Sequence, residues 1–187
     1  MKFALVIIGV LVLVGLIFAG QLMSTRNSLV TEQTAIDGQW SQVDVALQRR
    51  ADLIPNLVET VKGFAKQEQA VIKSVTDARA ALIGARNPQE KIAANGQLDS
   101  ALSRLLVITE NYPQLKSNEN FLRLQDELAG TENRIAIERR KYNETVQRYN
   151  TDIALFPKNI AAVMFGFTAK DYFKADAGSK TVPNVKF

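Results

Sequence analysis

The sequence predicts an all-α protein: an N-terminal single transmembrane helix followed by an antiparallel, up-and-down bundle of long helices. An uninterrupted apolar run, FALVIIGVLVLVGLIFA, occupies positions 3–19. Only 10 Gly and 5 Pro punctuate the 187 residues, which favours a few long helices. After the first segment apolar residues recur at helical spacings, and the strict apolar–polar alternation typical of half-buried strands is missing.

The N-terminal segment, residues 1–23, is predicted to be a transmembrane anchor. Its uncharged stretch is about 20 residues long, near the length that spans a bilayer as a helix. A cleaved signal peptide is the alternative, but the apolar region is longer than usual and no clean small-x-small site follows it. Lys2 and Arg26 flank the run, so the distribution of basic residues barely decides orientation. We expect a cytoplasmic N-terminus and an extracytoplasmic bundle.

A helical bundle is predicted over residues 24–156, beginning with helical periodicity from Ser24 to Gly84. Pro55 lies inside this pattern, where it removes a hydrogen bond to Ala51 and clashes with that turn. The helix is therefore expected either to kink at Pro55 or to break there. The membrane-proximal part of the apolar stripe, from Leu29 to Leu47, is long for one chain to cover, which favours self-association. The stripe comprises Leu29, Ile36, Trp40, Val43, Leu47, Ile54, Leu57, Val61 and Phe64.

The next helix has clear start and stop signals. Asn87 is typical of an N-cap, with Pro88 as the first helical residue and Glu90 as the third. The helix is predicted to run to about Asn111, and Pro113 ends it.

The last long helix is predicted to open at Ser117 or Asn118 and to stop before Pro157. From Tyr142 onward its apolar steps alternate between four and three residues, which is a heptad seam typical of a coiled coil. The predicted seam comprises Phe121, Leu124, Leu128, Ile135, Tyr142, Val146, Tyr149, Ile153 and Phe156.

An aromatic C-terminal short helix and cap is predicted over residues 157–176, followed by a flexible tail over residues 177–187. The short helix runs from Lys158 to Phe165 and is closed by Gly166.

Composition excludes several kinds of catalytic centre. The chain has no Cys and no His. Disulfides, thiolate metal sites, Ser-His and Cys-His nucleophile pairs, and Glu-x-x-His iron sites are therefore unavailable. Gly-rich phosphate loops and calcium loops are also missing. The formal net charge of +4 is too diffuse to indicate a nucleic-acid partner. No catalytic, cofactor-binding or metal-binding residues are predicted.

Nine residues are candidates for an interaction interface, each beside a plainer alternative. Trp40 fits a core position better than a binding site. Arg49 and Arg50 suit either a solvated face or an interface that needs fixed geometry. Asn143 and Asn150 lie one position off the seam, where they are expected to hydrogen-bond across a helix interface. The remaining aromatic residues either cap the bundle or form an exposed apolar surface that binds a partner. They are Phe165, Phe167, Tyr172 and Phe173.

Three long segments resemble the LemA family. They are WSQVDVALQRRADLIPNLVETVKGFA at 40–65, VTDARAAL at 75–82, and YNETVQRYNTDIALFPKNIAAVMFGFTAKDYFKAD at 142–176. The resemblance implies an N-terminal membrane helix, an antiparallel helical bundle, no accepted enzymatic activity and no catalytic residues. It also implies similarity to proteins of magnetosome membranes and an association with membrane metalloproteases and envelope stress.

Two functions follow from these observations. The first is a membrane-anchored, self-associating scaffold of the bacterial cell envelope, with the lipid bilayer and further copies of the chain as partners. The second is an adaptor or regulator that presents the bundle to a membrane protease. An enzyme that uses only carboxylates, Lys or Tyr is a third and weaker hypothesis.

We predict that residues 1–23 remain on the mature protein, because the apolar run lacks a cleavage site. Intact-mass measurement of protein extracted from membranes should give the mass of the uncleaved chain. A mature N-terminus near Gln21 would contradict the anchor.

Overall fold

A computed structural model describes residues 2–173 of the protein, and over this part of the chain the predicted all-α fold is confirmed. Six helices and no strand are present in the described residues. The helices are α1 (Lys2–Phe64), α2 (Gln69–Gly84), α3 (Pro88–Thr109), α4 (Pro113–Lys116), α5 (Glu119–Ala154) and α6 (Lys158–Phe165). The end of the predicted cap and the predicted tail lie outside the described residues.

The described chain forms two compact units, and the two longest helices contribute to both. The anchor unit comprises residues 2–39 and 141–172, and the bundle unit comprises residues 40–140 together with Phe173. In the bundle unit, α1, α2, α3 and α5 bury an aliphatic core whose removal from water is the main stabilising contribution. Its fully buried side chains include Val43, Leu47, Ile54, Leu57, Val75, Leu98, Leu105, Phe121 and Ile135.

Helix α1 continues through Pro55 without a break. Because Pro55 has no amide hydrogen, the carbonyl oxygen of Ala51 loses its helical donor. The side chain of Arg79, on α2, replaces that donor: its Nε donates a hydrogen bond to the Ala51 oxygen over 2.8 Å. Since Ala51 is fully buried, an unpaired carbonyl there would be costly. Of the two expected outcomes at Pro55, a kink or a break, the break is therefore wrong, and the bond from the neighbouring helix supplies the reason.

The break between the first two helices of the bundle unit comes ten residues later than Pro55, at residues 65–68. Ala65 is buried there and Phe64, which the sequence placed on the apolar stripe, is 39% exposed. Glu68 accepts a hydrogen bond from the Tyr112 hydroxyl over 2.9 Å, which ties the turn to the residue preceding α4. The Ser24–Gly84 periodicity therefore belongs to two helices.

The predicted helix starts are confirmed by their capping hydrogen bonds. The Oδ1 atom of Asn87 accepts from the Glu90 amide over 2.8 Å, and the Glu90 carboxylate accepts from the Arg86 amide. The Glu90 side chain thus reaches the residue before the N-cap, one position earlier than in a capping box, where it would bond to the N-cap amide. At the start of α5, the Oδ1 atom of Asn118 accepts from the Phe121 amide. Pro113 follows α3 as predicted but also opens the four-residue α4.

The anchor unit contains the apolar N-terminal part of α1, packed residues farther along the same helix, and the end of α5. The apolar part is long and apolar enough to cross a membrane, and none of its most apolar window is buried in the protein. Of the membrane-proximal stripe, Leu29 and Ile36 are 0% and 3% exposed in this unit, and Val43 and Leu47 are buried in the bundle unit, so one chain covers these four residues. That stripe therefore gives no reason for self-association.

The end of α5 differs from the predicted seam. Tyr142, Val146 and Tyr149 are buried as predicted, but Phe156 is 79% exposed. The helix ends at Ala154, two residues before Phe156, so the heptad spacing no longer determines which way that ring points.

We predict that Arg79→Met lowers the free energy of unfolding by about 1–3 kcal/mol, because it leaves the Ala51 carbonyl without a donor. In a Pro55→Ala background the restored amide can pair with Ala51, and the same Arg79→Met change should cost clearly less. Denaturant unfolding of the four proteins in this double-mutant cycle measures the coupling. Equal costs in both backgrounds would show that Arg79 does not compensate for Pro55.

Candidate functional site

A ladder of side-chain hydrogen bonds holds the extended segment 167–172 against α5 in the anchor unit. The Tyr149 hydroxyl donates to the Thr168 carbonyl over 3.1 Å, and the Tyr142 hydroxyl donates to the Asp171 carbonyl over 3.2 Å. Between them, Asn150 donates from Nδ2 to the Lys170 carbonyl (2.9 Å) and accepts at Oδ1 from the Lys170 amide (2.8 Å). Asn150 therefore pairs with a peptide group much as a neighbouring strand would.

The seven-residue repeat of Tyr-Asn explains why these side chains line up. Two helical turns separate Tyr142 from Tyr149, so both rings lie on one face and are buried there. The chain reverses at Gly166, whose φ of +74° is the left-handed conformation that favours glycine. The Phe167 amide then bonds back to the Ala162 carbonyl over 2.9 Å, which is the helix-ending geometry expected of a glycine C-cap.

Burial keeps the ladder tyrosines protonated. It raises the pKa of Tyr149 and that of Tyr142 above the ordinary phenol range, and the Asp171 carboxylate raises the pKa of Tyr142 further. Tyr149 also accepts a hydrogen bond from Gln33 Nε2 over 3.2 Å. Its hydroxyl therefore joins α1, α5 and the extended segment through a single group.

Lys158 anchors α6 to two helices of the same unit. Its ammonium group contacts the carboxylates of Glu32 on α1, at 3.2 Å, and Asp152 on α5. The hydrogen bond from Lys158 lowers the pKa of Asp152, and the bond to Asp152 raises the pKa of Lys158. The Asp152 contribution to stability is therefore present above the unfolded-state pKa and is lost as the pH falls through the lowered folded-state pKa.

The candidate aromatic residues occupy different surroundings. Phe173, in the bundle unit, is 3% exposed; its ring lies 6.3 Å from that of Trp40, and the guanidinium of Arg139 lies 4.1 Å from its centre. In the anchor unit Phe165 and Phe167 are half-buried, and Arg26 lies over the Phe165 ring at 5.8 Å. Tyr172 is exposed and Trp40 is half-buried. The structure thus brings Trp40 and Phe173 together within the bundle unit.

The two candidate arginines also lie in different surroundings, one exposed and one buried. Arg49 is exposed and forms an ion pair with Glu127 at 3.2 Å. Arg50 is 6% exposed and is enclosed by carboxylates and an amide of α3 and α5, so it does not lie on a solvated face. Its partners are Asp99 (2.5 Å), Glu132 (2.8 Å) and Asn95 (2.9 Å).

The two candidate asparagines lie one position off the apolar seam, each directly after a seam tyrosine. Asn150 does hydrogen-bond, but to the backbone of the extended segment rather than to another helix. Asn143 is half-buried. The supporting roles of Gln33, Arg79 and Lys158 were missed, because no local sequence signal connects a residue on one helix with a backbone group on another.

Within residues 2–173 no group of three acidic side chains is arranged to hold a metal ion. The polar clusters described above join helices to one another or to the extended segment. Their arrangement therefore indicates that these polar residues stabilise the packing of the helices.

Comparison with known proteins decides the family. The LemA family model matches residues 39–187. The chain belongs to the LemA family. The resemblance drawn from the three sequence segments is confirmed.

The LemA chain is also similar to named bacterial proteins. Magnetosome protein MamQ 2 of Paramagnetospirillum magneticum is 27% identical, over 95% of this chain and 74% of that protein. MamQ of Magnetospirillum gryphiswaldense is 27% identical over 83% and 67%, respectively. Protein LemA of Metamycoplasma hominis is 25% identical over 73% and 63%. With the apolar part of α1, family membership supports a LemA-like protein associated with a membrane.

We predict that Asn150→Ala releases the extended segment from α5. The Lys170 amide should exchange its hydrogen faster, and the free energy of unfolding should fall by about 1 kcal/mol for the lost hydrogen bonds. Gln147→Ala, an exposed position on the same helix, is the matched control and should change stability by less than about 0.5 kcal/mol. Unchanged exchange at Lys170 in the Asn150→Ala protein would contradict the ladder.

Proposed function

We propose that this LemA-family protein is a membrane-anchored, non-enzymatic helical scaffold of the bacterial cell envelope. Its N-terminus would lie in the cytoplasm and its packed helices on the outer side of the inner membrane. Copies of the chain would associate with one another in the bilayer. The magnetosome names of its relatives agree with a role at a membrane.

The observation that carries this proposal is the continuity of α1 within the anchor unit. The apolar run passes directly into the residues that contain the buried Leu29 and Ile36, without a linker. Gln33, on the same stretch, bonds to Tyr149, and Glu32 pairs with Lys158. A helix that is both anchor and packed structural element suits a protein that holds other molecules at a fixed place near a membrane.

The use of the polar groups points the same way. Tyrosine and lysine are the residues on which an enzyme without His or Cys would have to rely. Here Tyr142 and Tyr149 hold a backbone segment, and Lys158 holds two carboxylates. Neither the family description nor the names of the relatives denotes an enzyme.

Self-association is the finer part of the proposal. Identical chains confined to one bilayer meet at high effective concentration, so weak contacts suffice. Closed symmetry would give a ring, and a non-closing contact would give larger arrays.

We predict that two differently tagged copies, co-expressed and extracted in mild detergent, purify together as a particle containing more than one chain. Copies expressed separately and mixed after extraction are the control, and they should exchange less. Particle mass and subunit stoichiometry are the measurements.

A particle containing strictly one chain, at concentrations like those in the membrane, would rule out the self-associating scaffold. If that single chain instead purified with a membrane protease, the adaptor function would replace it.

A further inference from the structure

Helix α6 has an unusual distribution of apolar side chains. It buries its small residues, Ala161 and Ala162, at 0% and 2% exposure. Its larger apolar residues face outward, where burial would have been more favourable. Together with the preceding turn they form one apolar patch, the α6 patch: Leu155 (58% exposed), Phe156 (79%), Ile160 (41%), Val163 (84%) and Met164 (59%).

The α6 patch lies beside the membrane-proximal end of α1, in the same unit. The first residue of α6, Lys158, pairs with Glu32, and its last residue, Phe165, lies under Arg26. At a helical rise of 1.5 Å per residue, Glu32 is about 14 Å beyond Met23 along the axis and Arg26 only about 5 Å. Helix α6 therefore descends along α1 toward the end of the apolar run.

The interfacial layer of a bilayer is about 5–8 Å thick on each side of the hydrocarbon core, so it reaches the level of Arg26 but not that of Glu32. The C-terminal end of α6, with Val163 and Met164, lies near the level of Arg26. An arginine at this height can keep its charge among the lipid headgroups while its stem remains in apolar surroundings.

The distribution of charged residues around α6 is also compatible with contact with lipid. Lys158 is the one charged residue between positions 153 and 169, and its ammonium group is occupied by Glu32 and Asp152. The outward face of α6 therefore carries no charge that would have to be desolvated on entering the interface.

We propose that the C-terminal end of the α6 patch, with Val163 and Met164, is a second membrane contact, which inserts into the interfacial layer beside the α1 anchor. The inference rests on the proposed anchoring of residues 1–23 and adds a lipid-binding surface to it. Apolar patches of this kind mark interfaces, and the bilayer is the occupant that the neighbouring anchor already brings within reach. The contact would fix how the anchor unit is tilted and rotated on the membrane.

The test uses the full chain, which has no native Cys, with one exposed valine replaced at a time. Val163→Cys reports on the α6 patch, Val14→Cys on the anchor, and Val45→Cys is the matched control in the bundle unit; these valines are 84%, 56% and 65% exposed. Each protein is labelled with a polarity-sensitive fluorophore and reconstituted into phosphatidylcholine vesicles. Nitroxide lipids with the quencher near the headgroup or deep in the acyl chain then report depth.

We expect the label at position 163 to shift its emission to the blue and to lose at least half of its intensity to the shallow nitroxide. The label at position 14 should be quenched most by the deep nitroxide, and the label at position 45 should behave as in water. If position 163 responds like position 45 while position 14 is deep, the α6 contact is wrong and the anchor stands. If position 14 escapes quenching, the anchor fails and the α6 contact fails with it.

A second copy of the chain is the competing occupant of the α6 patch. It would shield the label at position 163 without quenching by either nitroxide lipid. It would also allow the unlabelled Val163→Cys protein to form disulfide-linked dimers in the vesicles. That pair of results would overturn the lipid contact.

Discussion

A buried backbone carbonyl needs a donor, and Pro55 deprives Ala51 of the one that helical geometry would supply. Arg79 provides it from another helix at 2.8 Å, and so permits α1 to continue where the proline would otherwise end it. The same kind of side-chain-to-backbone bond holds the extended segment, where Asn150 pairs with both polar groups of Lys170. In both units, a side chain on one helix pairs with backbone groups that have no partner within their own secondary structure.

Much of the helical architecture could be predicted because its signals are local. The Asn87 cap, the stop before Pro157 and the closure at Gly166 each depend on a few adjacent residues, and each was found where the sequence placed it. Whether the helix continues through Pro55 depends on Arg79, a residue in another helix. The hydrogen-bond partner of Asn150 lies in a segment that follows the end of its own helix. Residue spacing records which face of a helix is apolar, but not which backbone group a polar side chain will reach.

Two basic side chains that are buried or partly buried, Arg50 and Lys158, each contact several polar partners. Arg50 meets Asn95 and Asp99 of α3 and a carboxylate of α5, while Lys158 meets carboxylates of α1 and α5. Removing such groups from water is costly, and the attraction repays the cost only when partners are well placed. Sliding one helix by a turn would separate the partners, so these clusters favour a single register. Apolar packing of similar aliphatic side chains would discriminate less sharply between registers.

The unbroken passage of α1 from its apolar run into packed residues has a mechanical consequence. Bilayers differ in hydrocarbon thickness, and a helix longer than the local thickness adjusts by tilting. In a chain with a loose linker, that adjustment would stop at the membrane surface. Here residues 24–39 continue the same helix and are fastened to α5 and α6 through Gln33 and Glu32. If residues 1–23 span the bilayer as proposed, a change in membrane thickness would therefore reorient the packed end of the helix, and the orientation of the anchor unit would depend on lipid composition.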